Sequence, residues 1–90
     1  MDAESIGVLM EQLRDWSVVG THHLQKDYDF PDFASALKFV NRVAEVAEQE
    51  QHHPDITFTW GRVHLQIRTH KIDGLTENDF VLAAKIDRLG

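Results

Sequence analysis

Apolar residues recur at Ile6, Leu9, Met10 and Leu13 in an otherwise polar stretch, the three-to-four spacing of a short amphipathic helix over residues 4–14. The segment WSVVG, Trp16 to Gly20, is β-branched and closes on a turn glycine. HLQKDYDF, His23 to Phe30, alternates loosely and ends in aromatic residues, so the two segments predict a β-hairpin. Residues 32–51 carry the clearest helical pattern, with Phe33, Leu37, Val40, Val43, Ala44 and Ala47 on one face. Phe39 and Val46 widen that face beyond what one packed surface requires, which predicts a second buried surface such as a subunit contact. Pro31 suits the start of this helix, where its missing N–H is harmless, and Pro54 forbids continuation, so the helix ends near Gln51.

Two strands follow. Ile56, Phe58 and Trp60 alternate with threonines, and Val63, Leu65 and Ile67 alternate with His64, Gln66 and Arg68. Gly61-Arg62 between them reads as a two-residue type II′ turn, which pairs Trp60 with Val63, Phe58 with Leu65 and Ile56 with Ile67. THKIDGL turns the chain, and TENDFVLAAKIDRL forms a last helix with Thr76 as N-cap and Asp79 three residues on, a capping box with a short acid. The element order is αββαββα. Its cheapest packing is an α+β domain spanning residues 1–90, with three helices on one face of a four-stranded antiparallel sheet.

Composition narrows the possible functions. Ninety residues make one domain with a single modest core. There is no cysteine, which excludes disulfides and thiolate metal sites and makes a reducing, cytoplasmic compartment the default. The net charge of −6 and the scattered Lys and Arg disfavour nucleic-acid binding. The acidic N-terminus lacks the character of a signal peptide, and no stretch is long enough to span a bilayer.

The candidate chemistry lies in the histidines. His52 and His53 sit where the long helix must stop, and His70 lies beyond the last strand. The expected strand register, extended, places His53 opposite His70, so three imidazoles gather at one end of the sheet. Glu48 is one helical turn before His52 and close enough to orient or charge it. An imidazole titrates near pH ~6.5, so such a cluster suits proton transfer at neutral pH. A polar helix exit or, with Glu48, a metal site are the other readings of the same residues. His22, His23 and His64 read as surface residues, Asp79 as a cap, and Trp16 and Trp60 as packing.

The segment E48-x-x-x-H52-H53-P54, then W60-x-x-V63, then T69-H70-x-x-x-G74-L75-T76-x-x-D79 resembles the pterin-4a-carbinolamine dehydratases. Trp16 and the pair Phe30 and Phe33 fit the resemblance, which covers nearly the whole chain. It implies the αββαββα fold, no metal and no cofactor, and homodimers or homotetramers built by joining sheets edge to edge and bundling the long helix. The implied activity is dehydration of 4a-hydroxytetrahydropterin to the quinonoid dihydropterin, which recycles the cofactor of aromatic amino-acid hydroxylases.

By match to the family motif, His52 and His70 correspond to an acid–base pair, His53 to a ring that orients the pterin, and Glu48 and Asp79 to supports for the imidazoles. Pro54 and Thr69 belong to the same motif. Gln51 departs from it, since many relatives carry Asp or Asn before the histidine pair, and an amide cannot reproduce a carboxylate's charge. The alternative on the same fold is a dimerisation or assembly factor, either non-catalytic or bifunctional, which is free to lose the three histidines that this chain retains.

Overall fold

Asp2 starts the first helix, α1 (Ala3–Met10), by accepting the Ser5 N–H on its carboxylate at 2.8 Å. The computed structural model describes residues 1–89. Helix α1 is shorter than the apolar spacing predicts: Leu13 packs on the core from a run of turns that ends at Asp15, whose φ of 61° is left-handed. Strands β1 (Ser17–Val19) and β2 (His23–Asp29) form the expected hairpin around Gly20, also left-handed at φ 57°.

Helix α2 (Phe33–Glu50) is capped by Asp32, which accepts the Ser35 N–H at 2.7 Å, so Pro31 lies one residue before the cap rather than in the first turn. Its buried line is Ala36, Val43 and Ala47, flanked by Phe39, Val40 and Val46. Phe33, Leu37 and Ala44, expected inside, lie on the exposed side, where Phe33 stacks on Phe58 at 5.0 Å. The helix is apolar on two sides, and it is the line of Ala36, Val43 and Ala47 that faces the core.

Strands β3 (Asp55–Phe58) and β4 (Arg62–Ile67) complete an antiparallel sheet of order β1-β2-β4-β3, and α3 (Glu77–Asp87) closes the domain. The inner face of the sheet presents Leu24, Val63, Leu65 and Ile67, all fully buried against Val43, Leu82, Ala83 and Ile86. The outer face is polar, as His64 paired with Asp27 at 2.6 Å illustrates. Trp16 is buried as expected, and its indole N–H donates to Asp87 at 2.9 Å, tying the segment before β1 to the end of α3. Trp60, expected to pack, is exposed at the hairpin tip.

That tip also corrects the register. Phe58 pairs with Val63 and Ile56 with Leu65, so the loop is Trp60-Gly61 and the turn lies one residue earlier than Gly61-Arg62. The reason is a close approach. The Phe30 N–H donates to the Gly61 carbonyl at 2.7 Å, and a Cβ on Gly61 would stand 2.8 Å from the Phe30 carbonyl oxygen. Gly61 therefore makes room for a neighbouring strand and does not supply a left-handed turn, since Gly20 is the only described glycine with positive φ. The two-position shift preserves which side chains face inward. It does change the partner of His53: extending the Asp55–Gln66 pairing by two residues brings His53 level with Arg68, not His70.

Candidate active site

The last turn of α2 sets the directions of the first two imidazoles. Gln51 adopts a left-handed conformation at φ 53°, and the His52 N–H folds back onto the Ala47 carbonyl at 3.1 Å. Gln51 also donates its side-chain amide to the Glu48 carbonyl at 2.8 Å, satisfying another helix-end acceptor. This reversal breaks the helical spacing. Glu48, expected beside His52, instead receives His53, with His53 Nε2 at 2.5 Å from its carboxylate.

His52 turns inward. Its Nε2 meets Oδ1 of Asp79 at 2.5 Å, and Asp79 is fully buried. The other carboxylate oxygen accepts the Thr69 hydroxyl at 3.0 Å and the Thr76 N–H at 2.8 Å. Because the single Thr69 hydroxyl proton goes to Asp79, the 2.8 Å contact between the two threonine hydroxyls requires Thr76 to donate to Thr69. The buried carboxylate is thus satisfied from α3's own N-terminus, from the end of β4 and from His52. Asp79 is a cap, as expected, and also the partner of an imidazole. With Nε2–H committed to Asp79, the neutral His52 ring keeps its lone pair on Nδ1.

His70 reaches the site by a different route. Thr69 pairs with Gly74 across a tight turn, Thr69 N–H to Gly74 carbonyl at 2.8 Å, and His70 is the first residue of that turn. Its Nε2 is 3.9 Å from Asp55, too far for a hydrogen bond, and the ring is half exposed. His52, His53 and His70 nevertheless line one cleft of about 250 Å³, together with Gln51 and Thr69. Glu48, Pro54 and Asp79 are not part of the lining, though Glu48 and Asp79 each bond one of its imidazoles.

Arg68 and Lys71 complete the walls, and neither was singled out from the sequence as a site residue. The signal available was positional, since both flank the Thr69-His70 pair. Arg68 Nη1 donates to Asp55 at 3.0 Å, and its Nε lies 3.0 Å from Asp73. Asp73 also accepts His22 Nε2 at 2.9 Å, and this bond, then the charge of His22 and, to a lesser degree, the adjacent Arg68, hold the Asp73 carboxyl below the usual carboxylate range. His22 is exposed, as expected of a surface residue, and is engaged in a cluster, whereas His23, whose Nδ1 is 2.9 Å from that of His22, is partly buried with its Nε2 enclosed. Larger hollows exist elsewhere, such as one of about 340 Å³ between α1 and α3, but it is lined mainly by Leu9, Leu13, Phe80 and Val81 and holds no imidazole. The chemistry selects the smaller cleft.

The sequence model described as Pterin 4 alpha carbinolamine dehydratase matches residues 1–89. The chain belongs to that family. A relative from Rubrobacter xylanophilus is 55% identical over 89 residues, covering 99% of this chain and 83% of that protein. One from Rickettsia bellii is 51% identical over 90 residues, covering 99% and 80%. Both bear the provisional name pterin-4-alpha-carbinolamine dehydratase. A crystal structure of a transcriptional coactivator/pterin dehydratase from Brucella melitensis superposes with a TM-score of 0.90 at 28% identity, covering 99% of this chain and 96% of that one. A pterin dehydratase-like protein identified as a RuBisCO assembly factor in the α-carboxysome shares the fold, with a TM-score of 0.71, 24% identity and coverage of 87% and 92%. Among the described residues of this family member, no helix is long and apolar enough to cross a membrane.

Proposed function

We propose that this protein dehydrates 4a-hydroxytetrahydropterin to the quinonoid dihydropterin by histidine acid–base catalysis, without metal or cofactor. The observation that carries the reading is the meeting of His52, His53 and His70 on one cleft, with His52 backed by a buried carboxylate. The reaction breaks the C4a–O bond and the N5–H bond, and forms the C4a=N5 double bond and water. An acid must protonate the departing hydroxyl and a base must take the N5 proton.

His52 suits the base. Its Nδ1 holds the lone pair, and the imidazolium formed on proton uptake is stabilised by Asp79. His70, whose ring has no hydrogen bond among the described residues, is free to give a proton to the leaving hydroxyl and recover it from solvent. His53, fixed by Glu48, orients the ring, with Gln51 and Thr69 at its edge. The product would feed recycling of the pterin used by an aromatic amino-acid hydroxylase in the cytoplasm. Adding the protein to enzymatically generated 4a-hydroxytetrahydropterin and following quinonoid absorbance tests the reading; no acceleration over buffer would reject it.

A second reading, an association role alone or alongside catalysis, is supported by the exposed apolar side of α2. Phe33 and Leu37 there lie open beside Phe58, a surface that suits a second copy of the chain.

A further inference from the structure

The cleft that holds the three imidazoles has cationic and neutral walls but no carboxylate. Arg68 and Lys71 line it, on a chain whose net charge is −6. The nearby acids are each paired with a lining residue: Asp79 with His52, Glu48 with His53, and Asp55 and Asp73 with Arg68.

Arg68 is held in a fixed orientation. Nη1 donates to Asp55 at 3.0 Å. Nε forms a 3.0 Å ion pair with Asp73, but its N–H is not aligned on that carboxylate and has no hydrogen-bond partner. Asp73 is anchored in turn by His22. Nη1 is therefore committed to Asp55 and Nε sits beside Asp73, while the side chain as a whole stays partly open, 30% exposed. Lys71 is exposed, follows His70 directly, and enters none of the ion pairs of the described residues.

We propose that the cleft selects pterins whose side chain carries an anionic group, a carboxylate or a phosphate ester, over pterins with a neutral hydroxyalkyl side chain. The inference rests on the dehydratase reading and names the kind of substrate that reading takes. A guanidinium already oriented by two carboxylates loses little freedom when it binds an anion, and its planar donors match carboxylate and phosphate oxygens. Asp55 and Asp73 weaken the attraction at long range. At contact the 1/r dependence favours the Arg68 guanidinium and the Lys71 ammonium, which line the cleft, over acids that do not.

The test is direct binding to the full chain, read by pterin fluorescence and so independent of turnover. The probes are pterin-6-carboxylate, the phosphate ester of 6-hydroxymethylpterin, and neutral 6-hydroxymethylpterin. The carboxylate or the phosphate, or both, should bind about tenfold more tightly than the neutral compound. Arg68→Gln should collapse that ratio towards one, and Arg68→Lys should retain part of it. Equal or weaker binding of both anionic probes, no binding of any probe, or an unchanged ratio in a double Arg68→Gln, Lys71→Gln variant overturns the inference. Turnover of a neutral substrate without anionic preference in binding would overturn this inference alone. Anionic preference in binding without turnover of any substrate would overturn the dehydratase reading alone.

Discussion

His52 Nε2 and Asp79 Oδ1 lie 2.5 Å apart across 27 residues of sequence, and this contact joins the end of α2 to the start of α3. Asp79 does two jobs through its two oxygens, fixing the His52 tautomer with one and capping α3 with the other. The two jobs can be separated. Asp79→Asn keeps the shape and an acceptor for the Thr76 N–H but withdraws the charge that stabilises an imidazolium. Turnover should fall about ten- to a thousandfold with KM little changed. Asp79→Ala should in addition lower stability by about 3 kcal/mol, because His52, Thr69 and Thr76 lose a buried partner. Steady-state kinetics and urea melts measure both, and an Asn variant with wild-type kcat would remove Asp79 from the proposed chemistry.

His70 presents the opposite case. Its ring is half exposed and makes no hydrogen bond among the described residues, so its removal should cost the fold almost nothing. His70→Ala should lower the dehydration rate by about ten- to a thousandfold while the melting temperature stays near wild type. Near wild-type turnover would exclude it as the acid.

Chelation offers an independent check on the chemistry. His52 and His53 each commit Nε2 to a carboxylate, and among the described residues no three His, Cys, Asp or Glu side chains converge as a metal-binding group. Prolonged treatment with a chelator should leave dehydration unchanged. Activity lost on treatment and restored by zinc would overturn a metal-free mechanism.

Element order, strand alternation and the histidine cluster were legible because each rests on local periodicity or on a motif. Other features depended on the tertiary neighbourhood. Gly61 resembled a turn glycine because the nearby Phe30 carbonyl cannot be seen from residues 56–67. The partners of Glu48 and His52 were misjudged because helical spacing was extended past Gln51, where the left-handed backbone ends it. The inward face of α2 was ambiguous because both of its sides are apolar. Arg68 went unremarked because its role comes from Asp55 and Asp73, one on another strand and the other across a turn.

Asp73 supplies a prediction with a definite pH sign. Its carboxyl is held below its ordinary value, first by the hydrogen bond from His22 and then by that residue's charge. A lowered native pKa means the unfolded state binds the proton more readily. The stability it contributes is therefore present above about pH 3.9, the unfolded value, and is lost as pH falls through the lower native value. Carbon-detected NMR titration should show Asp73 titrating below a typical aspartate, and His22→Ala should move it upward. An unmoved titration in that variant would assign the shift to Arg68 instead.

Two glycines provide a test of the close approach at the hairpin tip, because the same substitution should act with opposite sign at each. Gly7 lies within α1, and a Cβ there would meet nothing within 4 Å. Gly7→Ala should stabilise the protein by about 0.5–1 kcal/mol, by raising helix propensity and restricting the unfolded chain. At Gly61 the same methyl would stand 2.8 Å from the Phe30 carbonyl oxygen, a backbone atom of the residue whose N–H is bonded to the Gly61 carbonyl. Relief requires β2 and the tip of β3–β4 to separate, which strains the Phe30 N–H to Gly61 carbonyl bond, so Gly61→Ala should cost about 1–3 kcal/mol. The cleft lies at the opposite end of these strands, so the activity of the folded variant should be retained. Denaturant midpoints for both variants measure the contrast, and a Gly61→Ala midpoint at or above wild type would show that the two strands are not packed this closely in solution.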